Sequence, residues 1–315
     1  MVILSRMRRA KRIYIFIIFV AIICTLLLLR IVSQASEGFQ DTTAKPKGII
    51  LDMMCGLGNQ LYIYTAAVMF KRTWNVPIYL KLSPGLAFMH TNVDYRPILF
   101  NDFESVETSN PIFQDVVHAN VQQKHPIHRF WDPWSPQSLP ASDKYIFLET
   151  QWYQDFKSIE PAIGEVRDKV LERMRNRFKD TRVDEGSAFL HVRRGDYTKA
   201  ENIAYLLDND YYVPAIEKLN TQPNIKTINI FSDDILWCKE QDWVSEKNIR
   251  YIDEPDEMKA LYMMSLCDQG AVISNSTFST WGAILGSYSN GAIVVYPSKW
   301  LYGAETSFPS SWIRI

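Results

Sequence analysis

The chain has 315 residues, with 34 Lys and Arg against 35 Asp and Glu, a formal charge of −1. That balance excludes a global basic field for nucleic acid or acidic lipid, so any anion site must be local. With 47% hydrophobic and 22% charged residues, intrinsic disorder is excluded and the length suits one large domain or two of ordinary size.

The amino terminus comes first. Arg6, Arg8, Arg9, Lys11 and Arg12 precede an uncharged apolar run from Ile13 to Leu29, closed by Arg30. At about 1.5 Å rise per residue the run gives roughly 26 Å of helix, which Ile31 and Val32 extend toward a full bilayer span. The basic end stays cytoplasmic by the positive-inside rule. The reading is a type II anchor: tail 1–12, transmembrane signal anchor 13–32, polar stem 33–47. The competing reading is a cleavable signal peptide, with Ser33, Gln34 and Ala35 as a small-x-small site; the run is longer than the usual h-region of about 7 to 15 residues, which favours the anchor. Cysteines stand at 24, 55, 238 and 267. They form no CxxC pair and have no histidine at ligand spacing, so no metal site is indicated. Of Cys55, Cys238 and Cys267, at most one pair can bridge.

From Gly48 strand and helix patterns alternate. GIILDMM (48–54) predicts a buried strand, CGLGNQ (55–60) a glycine turn, LYIYTAAVMFKRTW (61–74) a buried helix and VPIYLKL (76–82) a strand, together a βαβ unit. A loop-rich stretch, 84–144, leads to KYIFLET (144–150) as a strand and to an amphipathic helix over 160–178. A second alternation follows. SAFLHV (187–192) predicts a strand, 210–220 a helix, TINIFSDD (227–234) a strand, 235–243 a helix and 249–254 a strand. It continues with a helix over 256–268, a strand over 270–275, a helix over 276–288 and a strand over 292–297. Such alternation predicts an α/β protein with parallel sheets, whose ligands bind beyond the carboxyl ends of the strands.

Three such ends carry polar chemistry. HVRRGDY (191–197) sets His191, Arg193, Arg194 and Asp196 at one; paired guanidiniums there suit a diphosphate, although an ordinary Arg and Asp ion-pair cluster accounts for the same residues. Ser232, Asp233 and Asp234 stand at another, where a helix N-cap is the plain alternative. The third is SNSTF, with Ser274, Asn275, Ser276, Thr277 and Phe278 opening a helix whose amides can receive phosphate oxygens. The turn with Gly56 and Gly58 has Leu61 where a dinucleotide fingerprint needs its third glycine. It is therefore read as a close-approach loop, with Asn59 and Gln60 able to hydrogen-bond hydroxyls. DND at 208–210 has the letters of a metal-binding DxD but reads better as a helix start. Asn275-Ser276-Thr277 is the chain's single N-glycosylation sequon.

Taken in order, GLGNQLYIYTAA, HVRRGDY, FSDDILWC and ISNSTFSTWGAIL closely resemble the motifs of the α-1,2-fucosyltransferases, glycosyltransferase family 11. Weaker echoes lie in YRPILFNDF and QWYQDFKSIEPAI. The resemblance runs from Gly48 to the carboxyl terminus. It implies a GT-B-like fold of two Rossmann-type domains facing a cleft: an acceptor-side domain over 48–160 and a GDP-fucose-binding domain over 161–315. It implies transfer of L-fucose from GDP-fucose to a galactoside hydroxyl, forming an α-1,2 linkage with inversion, without an essential metal or other cofactor. Arg193, Arg194 and Asp196 are carried over as catalytic, the arginines serving the diphosphate and Asp196 supporting them. His191, Asp233, Ser274, Asn275, Ser276, Thr277 and Phe278 are carried over to the donor side, and Gly56, Gly58, Asn59 and Gln60 to a cleft loop facing fucose and acceptor. The partners implied are GDP-fucose, a galactose-containing glycan and the membrane, with no nucleic acid, and a eukaryotic host would place the catalytic part in the Golgi lumen. Cys55 stands where many relatives have glycine and Thr280 where many have tryptophan. No carboxylate can be singled out as general base. Rival readings are a fucosyltransferase of another linkage or acting on protein, an anchored glycan-binding module without catalysis, and a Rossmann oxidoreductase.

Overall fold

The computed structural model describes residues 44–83, 93–121, 132–149, 151–199, 204–243, 247–301 and 307–315. The expected tail and span lie outside these residues, as does the stem up to residue 43. No helix among the described residues is long and apolar enough to cross a membrane.

The first sheet grows from β1, Gly48–Met53, a strand apolar but for Asp52 and buried along its whole length. Helix α1, Leu57–Trp74, returns the chain so that β2, Ile78–Leu82, pairs parallel with β1. The short strands β3, Glu104–Val106, and β4, Val116–His118, close the edges, and β5, Tyr145–Leu148, pairs with β1 on its other side. A four-residue helix, α2 (Arg96–Leu99), lies between β2 and β3. The order is β3-β2-β1-β5-β4, and every pairing is parallel. Helix α3, Phe156–Arg177, starts at Asp155, whose carboxylate accepts from Ser158 N at 2.8 Å.

The second sheet is built on β6, Ser187–Val192, again buried throughout. It continues through α4 (Asn209–Asn220), β7 (Thr227–Ser232), α5 (Ile235–Lys239), β8 (Asn248–Ile252), α6 (Glu257–Leu266), β9 (Gly270–Val272), α7 (Thr277–Leu285), β10 (Ile293–Tyr296) and β11 (Ile313–Arg314). The order β11-β10-β9-β6-β7-β8 is parallel at every pairing. The α/β reading with parallel sheets therefore holds. Each sheet has one point where its strand order reverses, between β1 and β5 in the first and between β6 and β9 in the second. Ligand crevices of open parallel sheets form at such points, because the loops on either side diverge to opposite faces.

Residues Pro46–Ile315 form one compact unit. One apolar cluster runs through both sheets, from Ile49 and Leu61 to Met264, Trp281 and Trp312. Its seam is the contact of α1 with α7, where Tyr62 and Trp281 meet edge-on at 5.4 Å between ring centres. The expected division at 160/161 falls inside α3. Among the described cysteines Cys55, Cys238 and Cys267 are all buried thiols with no bridge between them.

Candidate functional site

A cavity of about 680 Å³ opens where the two switch points meet. Six strand ends line it. Cys55, Gly56, Leu57, Gly58 and Asn59 follow β1, and Trp152 and Gln154 follow β5. His191, Arg193, Asp196 and Tyr197 belong to the end of β6, while Asn275, Ser276, Thr277 and Phe278 follow β9. Ser232 and Asp233 flank these from β7, and Glu254 and Glu257 from beyond β8. The volume suits a nucleotide-sized ligand. A second cavity of about 660 Å³, beside Met69, Trp134 and Pro161, contains none of the motif residues.

Arg193 is the cation of the site. Its Nη2 meets Asp196 Oδ1 at 2.5 Å and its Nη1 meets Asp233 Oδ2 at 2.8 Å. Two carboxylates thus fix the guanidinium plane, and its other N–H groups are left to receive an anion. Its carbon also stands 5.5 Å from the centre of the Tyr197 ring. The Tyr197 hydroxyl donates to the Asn275 carbonyl at 3.0 Å, and burial pushes its pKa up to about 12, so it stays protonated.

Arg194 turns elsewhere. Its guanidinium lies 4.0 Å from the centre of the Trp237 ring and its Nε pairs with Asp234 Oδ2 at 3.3 Å, while its backbone N–H donates to Asp233. It is absent from the cavity wall. The sequence left open how far Arg194 shares the work of Arg193 or merely pairs with Asp196; Arg193 faces the cavity with Asp196 as its partner, and Arg194 is stacked behind it against Trp237 and Asp234. The SDD segment divides likewise: Asp233 reaches the site, whereas Asp234 caps α5 by accepting from Trp237 N at 3.1 Å.

Around Arg193 the formal count is two arginines against Asp196, Asp233 and Asp234, which is negative. An anion bound here would be held by directed N–H groups and not by net positive charge. Two helix ends supply them. Helix α1 begins at Gly56 with no side-chain cap, and α7 begins at Ser276, whose hydroxyl accepts from Phe278 N at 3.3 Å. The two amino-terminal turns abut: a Cβ on Gly58 would lie 2.5 Å from Phe278 N and from Thr277 C. Asn59 ties them, its Oδ1 accepting from Gln154 at 2.9 Å and from Thr277 Oγ1 at 3.0 Å. The positive poles of the two helices thus lie side by side, and an anion placed beside them would be favoured.

The remaining predicted residues have other duties. Gln60 is fully buried and donates to the Cys55 carbonyl at 2.8 Å, bracing the turn without reaching the cavity. Cys55 has φ 60°, a left-handed conformation that glycine adopts without strain. Ser274 is fully buried behind His191, whose Nδ1 lies 2.8 Å from its hydroxyl. Asn275 lies at the wall, yet its amide spends both hydrogens on the carbonyls of Tyr205 at 2.7 Å and Trp300 at 2.9 Å. Thr280 bonds back to the Ser276 carbonyl at 3.0 Å within α7. Asp208 is the N-cap of α4, as the DND segment was read. No three His, Cys, Asp or Glu of the described residues are grouped so as to hold a metal ion.

Sequence reasoning missed Trp152, Gln154, Glu254 and Glu257 in the wall. QWYQDF carried the first two as a faint echo. Glu257, which accepts from Tyr95 in the first half of the chain at 2.7 Å, had no local signal.

The family model of glycosyl transferase family 11 matches residues 133–314, more than half the chain. The chain belongs to glycosyl transferase family 11. Two curated relatives in Escherichia coli agree: an α-1,2-colitosyltransferase, 34% identical over 41% of this chain and 47% of the relative, and the O-antigen biosynthesis glycosyltransferase WbnK, 35% identical over 40% and 43%. The chain thus spans about half the length of the curated relatives it matches. Among solved structures, a family 9 glycosyl transferase of Veillonella parvula aligns with TM-score 0.43 at 10% identity, covering 86% of this chain and 87% of that one. The α-1,6-fucosyltransferase NodZ, soaked with GDP-fucose, aligns with TM-score 0.43 at 10% identity, covering 77% and 93%. Both likenesses are too distant to assign a role to any residue. The matched span of this family 11 chain holds β6 to β11 and with them Arg193 and the SNSTF turn; the glycine turn lies before it.

Proposed function

We propose that this family 11 chain transfers L-fucose from GDP-fucose to a galactoside hydroxyl, forming an α-1,2 linkage with inversion and without an essential metal. The observation that supports this best is the convergence of Arg193 with two helix amino termini at one cavity. Displacement at an anomeric carbon passes through an oxocarbenium-like state while negative charge builds on the departing diphosphate. A held guanidinium and helix amides are already aimed at that charge, so little reorganisation is needed as it forms. On this reading Arg193 binds the diphosphate, while Asp196 and Asp233 position Arg193. Ser276, Thr277 and Phe278 offer the α7 terminus, and Gly56, Gly58 and Asn59 close the opposite wall. The two halves act as the donor side and the acceptor side of a GT-B-like pair. The chain acts as a type II membrane protein through residues 13–32, in the Golgi lumen if the host is eukaryotic.

The test is fucose transfer by the full chain from GDP-fucose to a panel of β-galactosides, with EDTA present, and linkage analysis of the product. Arg193→Ala should lower turnover at least about a hundredfold, the usual consequence of losing one charge-stabilising donor. Arg194→Ala should cost far less. Abolition by EDTA, or full activity in Arg193→Ala, would overturn the mechanism. A product of another linkage, or transfer to protein, would redirect the acceptor assignment. A relative that is an α-1,2-colitosyltransferase makes colitose the second donor sugar to test. Binding of glycans without GDP binding would instead support the anchored glycan-binding module.

A further inference from the structure

His191 and Ser274 form a buried pair on the donor side of the cavity, and the hydrogen bonds around them assign the proton. The Ser274 hydroxyl is fully buried and must place its hydrogen on a protein acceptor. Two are in reach: His191 Nδ1 at 2.8 Å and Ser279 Oγ at 3.4 Å. Ser279 has carbonyls for its own hydrogen, that of Ser276 at 3.2 Å and that of Ser274 at 3.5 Å. Donation to Nδ1 gives the Ser274 hydrogen an acceptor at ordinary length, whereas 3.4 Å to Ser279 lies beyond the usual reach of about 2.5–3.0 Å for a hydroxyl donor. A neutral imidazole that accepts at Nδ1 carries its proton on Nε2.

The ring is neutral for two reasons. Burial, and then the charge of Arg193 on its own strand end, hold its pKa well down, to about 3. From the β9–α7 turn it meets the uncharged Ser274 and, at 5.7 Å between ring centres, Phe278. Nε2 has no protein partner among the described residues, and the ring lines the cavity beside Arg193.

We propose that Ser274 is a positioning residue that fixes His191 in the Nε2–H form, making the histidine a permanent hydrogen-bond donor to the nucleotide-sugar and not its acid or base. This rests on the reading of the cavity as a donor site. It also separates the duties of neighbours: Arg193 supplies charge, and His191 supplies one directed donor that does not change with pH.

Two readouts test it on the full chain in detergent micelles. With 15N-labelled histidine and His191→Gln to assign the signal, long-range proton–nitrogen NMR should show the proton on Nε2 from pH 5 to 8. Titration calorimetry with GDP as probe should show binding weakened about tenfold in Ser274→Ala, the loss expected for a misaligned hydrogen bond to a charged group. Ser274→Thr, which keeps the hydroxyl, should bind within about twofold of the parent. A proton on Nδ1, a ring that titrates between pH 5 and 8, or unchanged GDP affinity in folded Ser274→Ala would each overturn the proposal. Failure of the parent chain to bind GDP would overturn the donor-site reading instead, while the NMR signal would still report the tautomer.

Discussion

At the scale of single residues, His191 makes a prediction that can be separated from catalysis. Its pKa in the folded chain is depressed to about 3, below the ordinary value of 6.5. Between those values the unfolded chain binds a proton that the folded chain refuses, so stability falls as pH drops through that window and is fully present above it. Equilibrium denaturation should show His191 adding a slope of up to about 1.4 kcal/mol per pH unit below pH 6.5, lost in His191→Gln. Asn275 makes another. The residue is 1% exposed and both hydrogens of its amide are in use, so expression in a glycosylating host should leave the chain's mass unchanged after a glycosidase that removes N-glycans, and a shift would contradict this geometry. Residue roles were the least legible part of the sequence. HVRRGDY announced two arginines, but which of them faces the cavity depends on Asp234 and Trp237, both some forty residues away.

At the scale of elements, the abutting starts of α1 and α7 are the most constrained feature. Gly58→Ala would drive a methyl into the backbone of Thr277 and Phe278, atoms that cannot rotate aside. Overpacking of this kind costs about 1–3 kcal/mol. Thermal melting should detect it, and GDP affinity should fall with it, because both helix ends shift. Most of the strands were legible, being largely apolar runs cut off by glycine or acidic residues. The start of α1 was not: Leu57–Gln60 read as a turn because of its glycines, yet they are the first helical residues, and Gly58 is there for proximity, not for a bend. Strands β3, β4 and β11 were too short and too exposed to show any alternation.

At the scale of the whole molecule, one apolar cluster passes beneath both sheets, through α1, α3, α6 and α7. We expect residues 46–315 to unfold in a single transition, with calorimetric and van't Hoff enthalpies equal, and GDP to raise that one midpoint. Two separated transitions would show instead that the halves fold independently. The alternation of strand and helix announced two parallel sheets, but nothing in it told how they meet. That depends on side chains such as Tyr62 and Trp281, which carry no mark of each other in sequence.

The cavity wall is written in pieces that begin at Cys55 and end at Leu301. The span by which the family is recognised, 133–314, starts well after the first of them. A gene fragment cut to that span would encode Arg193, Asp233 and the SNSTF turn, and would translate into a protein bearing the three motifs of the second sheet. It would lack Gly56, Gly58 and Asn59, and with them the helix pole that faces α7. Such a fragment would be recognisable and would lack one wall of the cavity, so for this chain membership of the family and possession of a complete cavity are separate questions, decided by different stretches of the gene.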